Sequence, residues 1–196
     1  MPPITIPLLD NIVRPGETVL DVGCGGTPYH RATALVDFTL DGDAAREFAA
    51  TAYREELPGV PFHLACAEDL PFPDGAFDWC VCRFALTLME DPVKACDEMS
   101  RVARKHYIEF PSATRELLAN TPGAKWLGKR DSDALVFLRK TEQPFWTAPW
   151  EFCGIRFHSD AAGMERSVRE ALALLEWAGD ARVVLIGEGR IEARVG

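Results

Sequence analysis

The sequence contains no Cys-x-x-Cys pair, no apolar run of membrane-spanning length and no dense basic block. Its six cysteines, Cys24, Cys66, Cys80, Cys82, Cys96 and Cys153, are scattered. That excludes the usual zinc spacings and a disulfide framework, and it suits a reducing cytoplasm. The opening MPPITIPLLDNIVRPGE has no basic segment followed by an apolar core, so neither a secretory signal nor a membrane partner is expected. Acidic residues outnumber basic ones 30 to 21, a net charge of −9. The densest basic stretches, RVARKH (101–106) and KWLGKR (125–130), are too short to line a nucleic-acid groove.

What is present is an alternation of short apolar runs and amphipathic stretches. Val19 to Val22 reads as a buried strand entered from the turn Pro15-Gly16-Glu17, and Ala34 to Val36 as a second strand ending at Asp37. DGDAAREFAATAYREEL has helical spacing and stops at Pro58-Gly59. Val60 to Ala65, Phe77 to Cys82 and His106 to Phe110 read as further strands, with Cys80 and Cys82 on one face as small buried hydrophobes. Pro92 to Ala103 reads as a helix, and Ser112 as the cap of another reaching Leu118. Beyond Asn120 come a strand at Ala134 to Leu138, an irregular stretch with Phe145, Trp146, Trp150, Phe152 and Phe157, a helix from Met164 to Trp177, and a hairpin-like VVLIGEGRIEARV.

At 196 residues this is one domain, α/β, with a doubly wound, mostly parallel sheet and helices on both faces. Its core is expected over residues 15–140, with 141–196 as an aromatic loop, helix and hairpin extension serving as a lid or an interface. Ligands of such sheets bind beyond the carboxyl ends of the strands, where the glycine turn, Asp37, Ala67, Arg83 and Glu109 fall.

The turn VLDVGCGGTPYH decides between ligands. A dinucleotide fingerprint needs a third glycine for close helix–strand packing, and that position is Pro28, which argues against a nicotinamide or flavin enzyme. VLDVGCGG with its lead-in RPGET, then AEDLPFPDGAFDWCVC (67–82) and EDPVKACDEMSRVARKHYIEFPS (90–112), resembles class I S-adenosylmethionine-dependent methyltransferases. The likeness is to a short branch with a GGNP-like turn, and it extends to Lys140. It implies a Rossmann-like methyltransferase fold, S-adenosylmethionine as methyl donor and S-adenosylhomocysteine as product. The scattered cysteines give no reason to expect a metal, and the acidic balance favours a small-molecule acceptor, methylated on oxygen or nitrogen by a monomer or homodimer.

Carried over by position, the resemblance places Asp21, Gly23, Cys24, Gly25 and Gly26 against the aminoacyl part of the donor. Asp37 would take the ribose hydroxyls, Cys66, Ala67 and Glu68 the adenine, and Arg83 the methyl-transfer region. Three positions depart from the family's pattern. The third glycine of its turn is Thr27, the adenine-binding acid is Cys66, and a glutamate–histidine pair is replaced by Thr87 and Leu88. They support an alternative expectation, a degenerate donor-binding fold acting as a non-catalytic partner subunit. Methyl transfer needs alignment more than a fixed base. Tyr29 and His30 after the turn and Glu109 at a strand end are the catalytic candidates, His30 having the ordinary pKa for base work. His63 and His106 fall at strand starts as structural residues.

Overall fold

The computed structural model describes residues 6–38, 57–119, 121, 123–140 and 182–195. The segments 41–56 and 141–181, with the first expected helix, Cys153, His158, the aromatic cluster and the helix from Met164, lie outside the described residues.

Six strands form the main sheet: β1 (Val19–Val22), β2 (Ala34–Asp37), β3 (Phe62–Leu64), β4 (Phe77–Arg83), β5 (Ala103–Pro111) and β8 (Arg182–Glu188). Their order is β3-β2-β1-β4-β5-β8. All pairs are parallel except the last, in which β8 runs antiparallel beside β5. The direction of winding reverses between β1 and β4, which puts the open crevice beyond the ends of those two strands. A second, three-stranded sheet contains β6 (Trp126–Asp131), β7 (Ala134–Arg139) and β9 (Ala193–Val195) in the order β6-β7-β9.

Residue alternation divides the main sheet's side chains between two cores. On one face Leu20, Val22, Cys80, Cys82 and Ile108 pack against Ala95, Cys96 and Met99 of α2 (Pro92–Val102), and against Trp126, Leu135 and Phe137 of the second sheet. On the other, Val19, Trp79, Val81 and Tyr107 meet Tyr29 and the Ile6, Leu9 and Val13 side chains around α1 (Pro7–Asp10). α2 starts where the Asp91 carboxylate accepts from the backbone N–H groups of Val93 and Lys94, with Pro92 at the first helical position. It ends at Val102, because Ala103 is already extended and opens β5.

Several expectations need correction. VVLIGEGRIEARV is not a hairpin: its first half closes the main sheet and its second half pairs with β7, with Gly189 turning the chain at φ +82° between them. The core therefore includes 182–195 and does not stop at 140. KWLGKR contributes a strand, β6, whose Gly128 lies under the Phe110 ring so closely that a Cβ there would collide with it. A helix does lie on each face, α1 on one and α2 on the other, and the second sheet shares the face of α2. The Ser112 cap is present, its hydroxyl accepting from Arg115 N–H at the start of α3 (Ala113–Ala119).

Candidate functional site

β1 ends in the glycine turn, and two glycines there adopt left-handed backbone: Gly23 at φ +65° and Gly25 at φ +54°. At Gly23 a Cβ would collide with that of Ala85 in the segment after β4, so glycine lets the two strand ends close on each other. Gly25 and Gly26 face open space, where an added Cβ meets nothing within 4 Å. The turn is tied to β2 by Gly23 N–H to the Val36 carbonyl (2.8 Å) and by Gly25 N–H to Asp37 Oδ2 (2.8 Å). Asp37 Oδ1 also accepts from Phe38 N–H.

Beside this turn is a cavity of about 570 Å³. Its wall runs from Gly23 and Asp37 through Ala65, Cys66, Ala67 and Glu68 to Leu88, Met89 and the start of α2. The size and the largely apolar lining with a few polar groups are those of a small-ligand site. The Glu68 carboxylate is already engaged: Oε1 accepts from the backbone of Glu90 and Asp91, and Oε2 accepts from the Cys66 thiol. Burial, with the Glu68 hydrogen bond next, raises the Cys66 thiol pKa.

Of the ten positions expected at the donor, Gly23, Asp37, Cys66, Ala67 and Glu68 line this cavity; Asp21, Cys24, Gly25, Gly26 and Arg83 do not. Alternation explains Asp21 and Arg83, which belong to the sheet face of Val19 and Val81, opposite Val22. There Asp21 is fully buried and accepts from Tyr29 N–H at 2.7 Å. Burial pushes its pKa up to about 6 despite the nearby Arg83 charge. Arg83 is also buried and donates to the Thr27 carbonyl, and Asp21 Oδ1 and Arg83 Nε have no hydrogen-bond partner among the described residues.

The three catalytic candidates lie away from the cavity. Tyr29 is completely buried in the second core with its hydroxyl on Asp10 (2.6 Å), and His30 Nε2 lies 2.8 Å from the same carboxylate. Glu109 is buried between the Tyr107 hydroxyl (2.9 Å) and Arg182 (2.6 Å), not paired to Arg101 or Arg104. His63 and His106 lie within β3 and β5. Leu88, noted in the sequence as a departure, is on the cavity wall, and sequence reasoning passed over Met89, Glu90, Asp91, Lys94 and Lys125 there. The signal was available in the Asp91-Pro92 helix start, which must follow the carboxyl end of β4.

Residues 20–106 match the methyltransferase domain family. The match covers a little under half of the chain. Among curated relatives, an uncharacterised methyltransferase YcgJ of Bacillus subtilis is 34% identical over 99 residues, which are 47% of this chain and 38% of that protein. The O-methyltransferase cnsE of Penicillium expansum is 33% identical over 96 residues, 45% of this chain and 35% of that protein. The matched part thus spans well under half of either relative. The solved structure of YcgJ superposes with a TM-score of 0.52 at 16% identity, over 93% of this chain and 96% of that one. An S-adenosylmethionine-dependent methyltransferase from Mesorhizobium loti gives 0.51 at 13%, with the same coverages. The fold is the Rossmann-like fold of those solved methyltransferases, and S-adenosylmethionine is the cofactor that the family match implies. The residues present fit that molecule. The cavity volume is enough for a nucleoside, a carboxylate ends β2 at its wall, and the turn leaves open space at Gly25 and Gly26.

Proposed function

We propose that the protein is an S-adenosylmethionine-dependent methyltransferase acting on an oxygen or nitrogen of a small molecule in the cytoplasm, as a single domain over 1–196. The observation that carries this reading is Asp37, locked to the glycine turn through Gly25 N–H, on the wall of a nucleoside-sized cavity. The acidic balance supports a small acceptor over a nucleic acid. The free cysteines among the described residues, Cys24, Cys66, Cys80, Cys82 and Cys96, agree with a reducing compartment.

In this reading Asp37 holds the ribose hydroxyls, the walls at Ala67 and Met89 enclose the adenine, and the turn at Gly23 to Gly26 accommodates the aminoacyl part. The bound donor supplies a methyl group on a positively charged sulfur, already activated for in-line displacement. The protein then has to align the acceptor and exclude water. Tyr29 and Glu109 have no part in that work, because their polar side-chain atoms are committed elsewhere, and His30, bonded to Asp10 through Nε2, lies away from the cavity.

Thermal unfolding with S-adenosylhomocysteine, with NAD as control, tests the reading. At a hundredfold the dissociation constant the product should stabilise by about 2.7 kcal/mol while NAD does nothing. Gly25→Arg should abolish that shift, since a long side chain would enter the open space by the turn. A wild-type protein that shows no shift at millimolar product would sink the proposal and favour a non-catalytic scaffold.

A further inference from the structure

The polar groups around the cavity beyond Asp37 are unevenly committed. The Glu68 carboxylate accepts from the Cys66 thiol and from the backbone of Glu90 and Asp91. The Glu90 side chain is paired with Lys125 and lies 3.8 Å from Arg139. Asp91 caps α2 through Oδ1. Each carboxylate there already serves the protein. The Lys94 ammonium, on the same wall, makes no hydrogen bond or ion pair among the described residues. Cys66 presents only a sulfur atom whose S–H is already donated, and thioether or thiol sulfur is a weak acceptor. A purine amino group placed beside Cys66 would therefore find a soft sulfur and a Glu68 carboxylate that already accepts three hydrogen bonds, with the Lys94 cation on the same wall.

We infer that the base end of the cavity does not select for the 6-amino group of adenine, and that Cys66 is the residue responsible. The inference rests on the proposed donor site. A site built to bond an amino group rejects the analogue lacking it strongly, because the buried acceptor is left unpaired. Here exchange of the amino group for a carbonyl removes at most a weak contact to sulfur. It also offers Lys94 an oxygen to donate to. A 6-oxopurine nucleoside should thus be held as well as the 6-amino one.

Isothermal titration of the whole chain with S-adenosylhomocysteine and with S-inosylhomocysteine decides the matter. The expected result is dissociation constants equal to within about threefold, well under 1 kcal/mol apart. Cys66→Asp should create discrimination, with the adenosyl compound favoured by about tenfold or more. Lys94→Met should weaken the inosyl compound more than the adenosyl one. A wild type that already prefers the adenosyl compound by about tenfold overturns the inference and leaves the donor site standing. The same holds for a folded Cys66→Asp protein that still fails to discriminate. Failure of both compounds to bind removes the donor site itself, and the inference with it. Should Cys66→Asp not fold, the wild-type ratio alone decides.

Discussion

Asp21 is the residue where burial and charge conflict most openly. Its pKa, raised to about 6 by burial, stands above the ordinary aspartate value of the unfolded chain, 3.8. The folded protein therefore keeps a proton that the unfolded chain gives up as pH rises from 4 to 6. The stabilisation from that proton is fully present below pH 4 and is lost as pH passes 6, about 3 kcal/mol in all. Asp21→Asn keeps an oxygen for Tyr29 N–H and cannot titrate. Urea unfolding at a series of pH values should show wild-type stability falling relative to this variant between pH 4 and 6, then running parallel to it. A constant difference across that window would mean that Asp21 ionises as in a peptide. Asp21 was legible in the sequence as the acidic residue before the glycines. Its side of the sheet was not worked out, although a period of two from Val19 places it with Val19 and away from Val22. Tyr29 shows a different gap. Its place beside the turn is visible in the chain, whereas its bond to Asp10 depends on a short N-terminal helix with no strong periodic signal.

At the scale of elements, the loop that carries Cys66, Ala67 and Glu68 is held from behind by one helix residue. The Arg101 guanidinium donates to the carbonyls of Leu70 and Phe72 and to the carboxylates of Glu98 and Asp74. Glu98 in turn accepts from Leu70 N–H at 2.9 Å. Arg101→Ala should destabilise by about 2 kcal/mol, because two carbonyls and two carboxylates lose their donor together. It should also weaken donor binding through a looser cavity wall. Denaturant midpoints and product titration measure the two effects, and Arg101→Lys should recover only part of each, since an ammonium cannot fork to all four acceptors. Strands β1, β2 and β4 and helix α2 were readable because buried parallel strands are continuous apolar runs and the helix carries its own cap. β6 was hidden, since KWLGKR mixes charged and apolar residues on a strand only partly covered, with its glycine chosen for the Phe110 ring. Segments whose partners lie far along the chain leave little local trace.

For the whole molecule, the decisive feature is that residues 182–195 complete both sheets. β8 covers the edge of β5 along seven residue pairs, from Lys105↔Glu188 to Pro111↔Arg182, and β9 extends the second sheet beside β7. Between them Ile191 N–H donates to the Ser100 hydroxyl, fastening the crossing to α2. Removal of 182–196 should abolish cooperative unfolding and drive the protein into aggregates on size-exclusion chromatography, because it bares the β5 edge and leaves Glu109 without Arg182. A truncated chain that stays monomeric and unfolds in one step would show these strands to be accessory. The same arrangement sets an order in time. During synthesis β5 leaves the ribosome long before its antiparallel neighbour, so the nascent chain carries a largely buried-type strand with one edge unpaired until residue 188 emerges. Pairing across that separation is slow to form, so the sheet's last strand is also its clock.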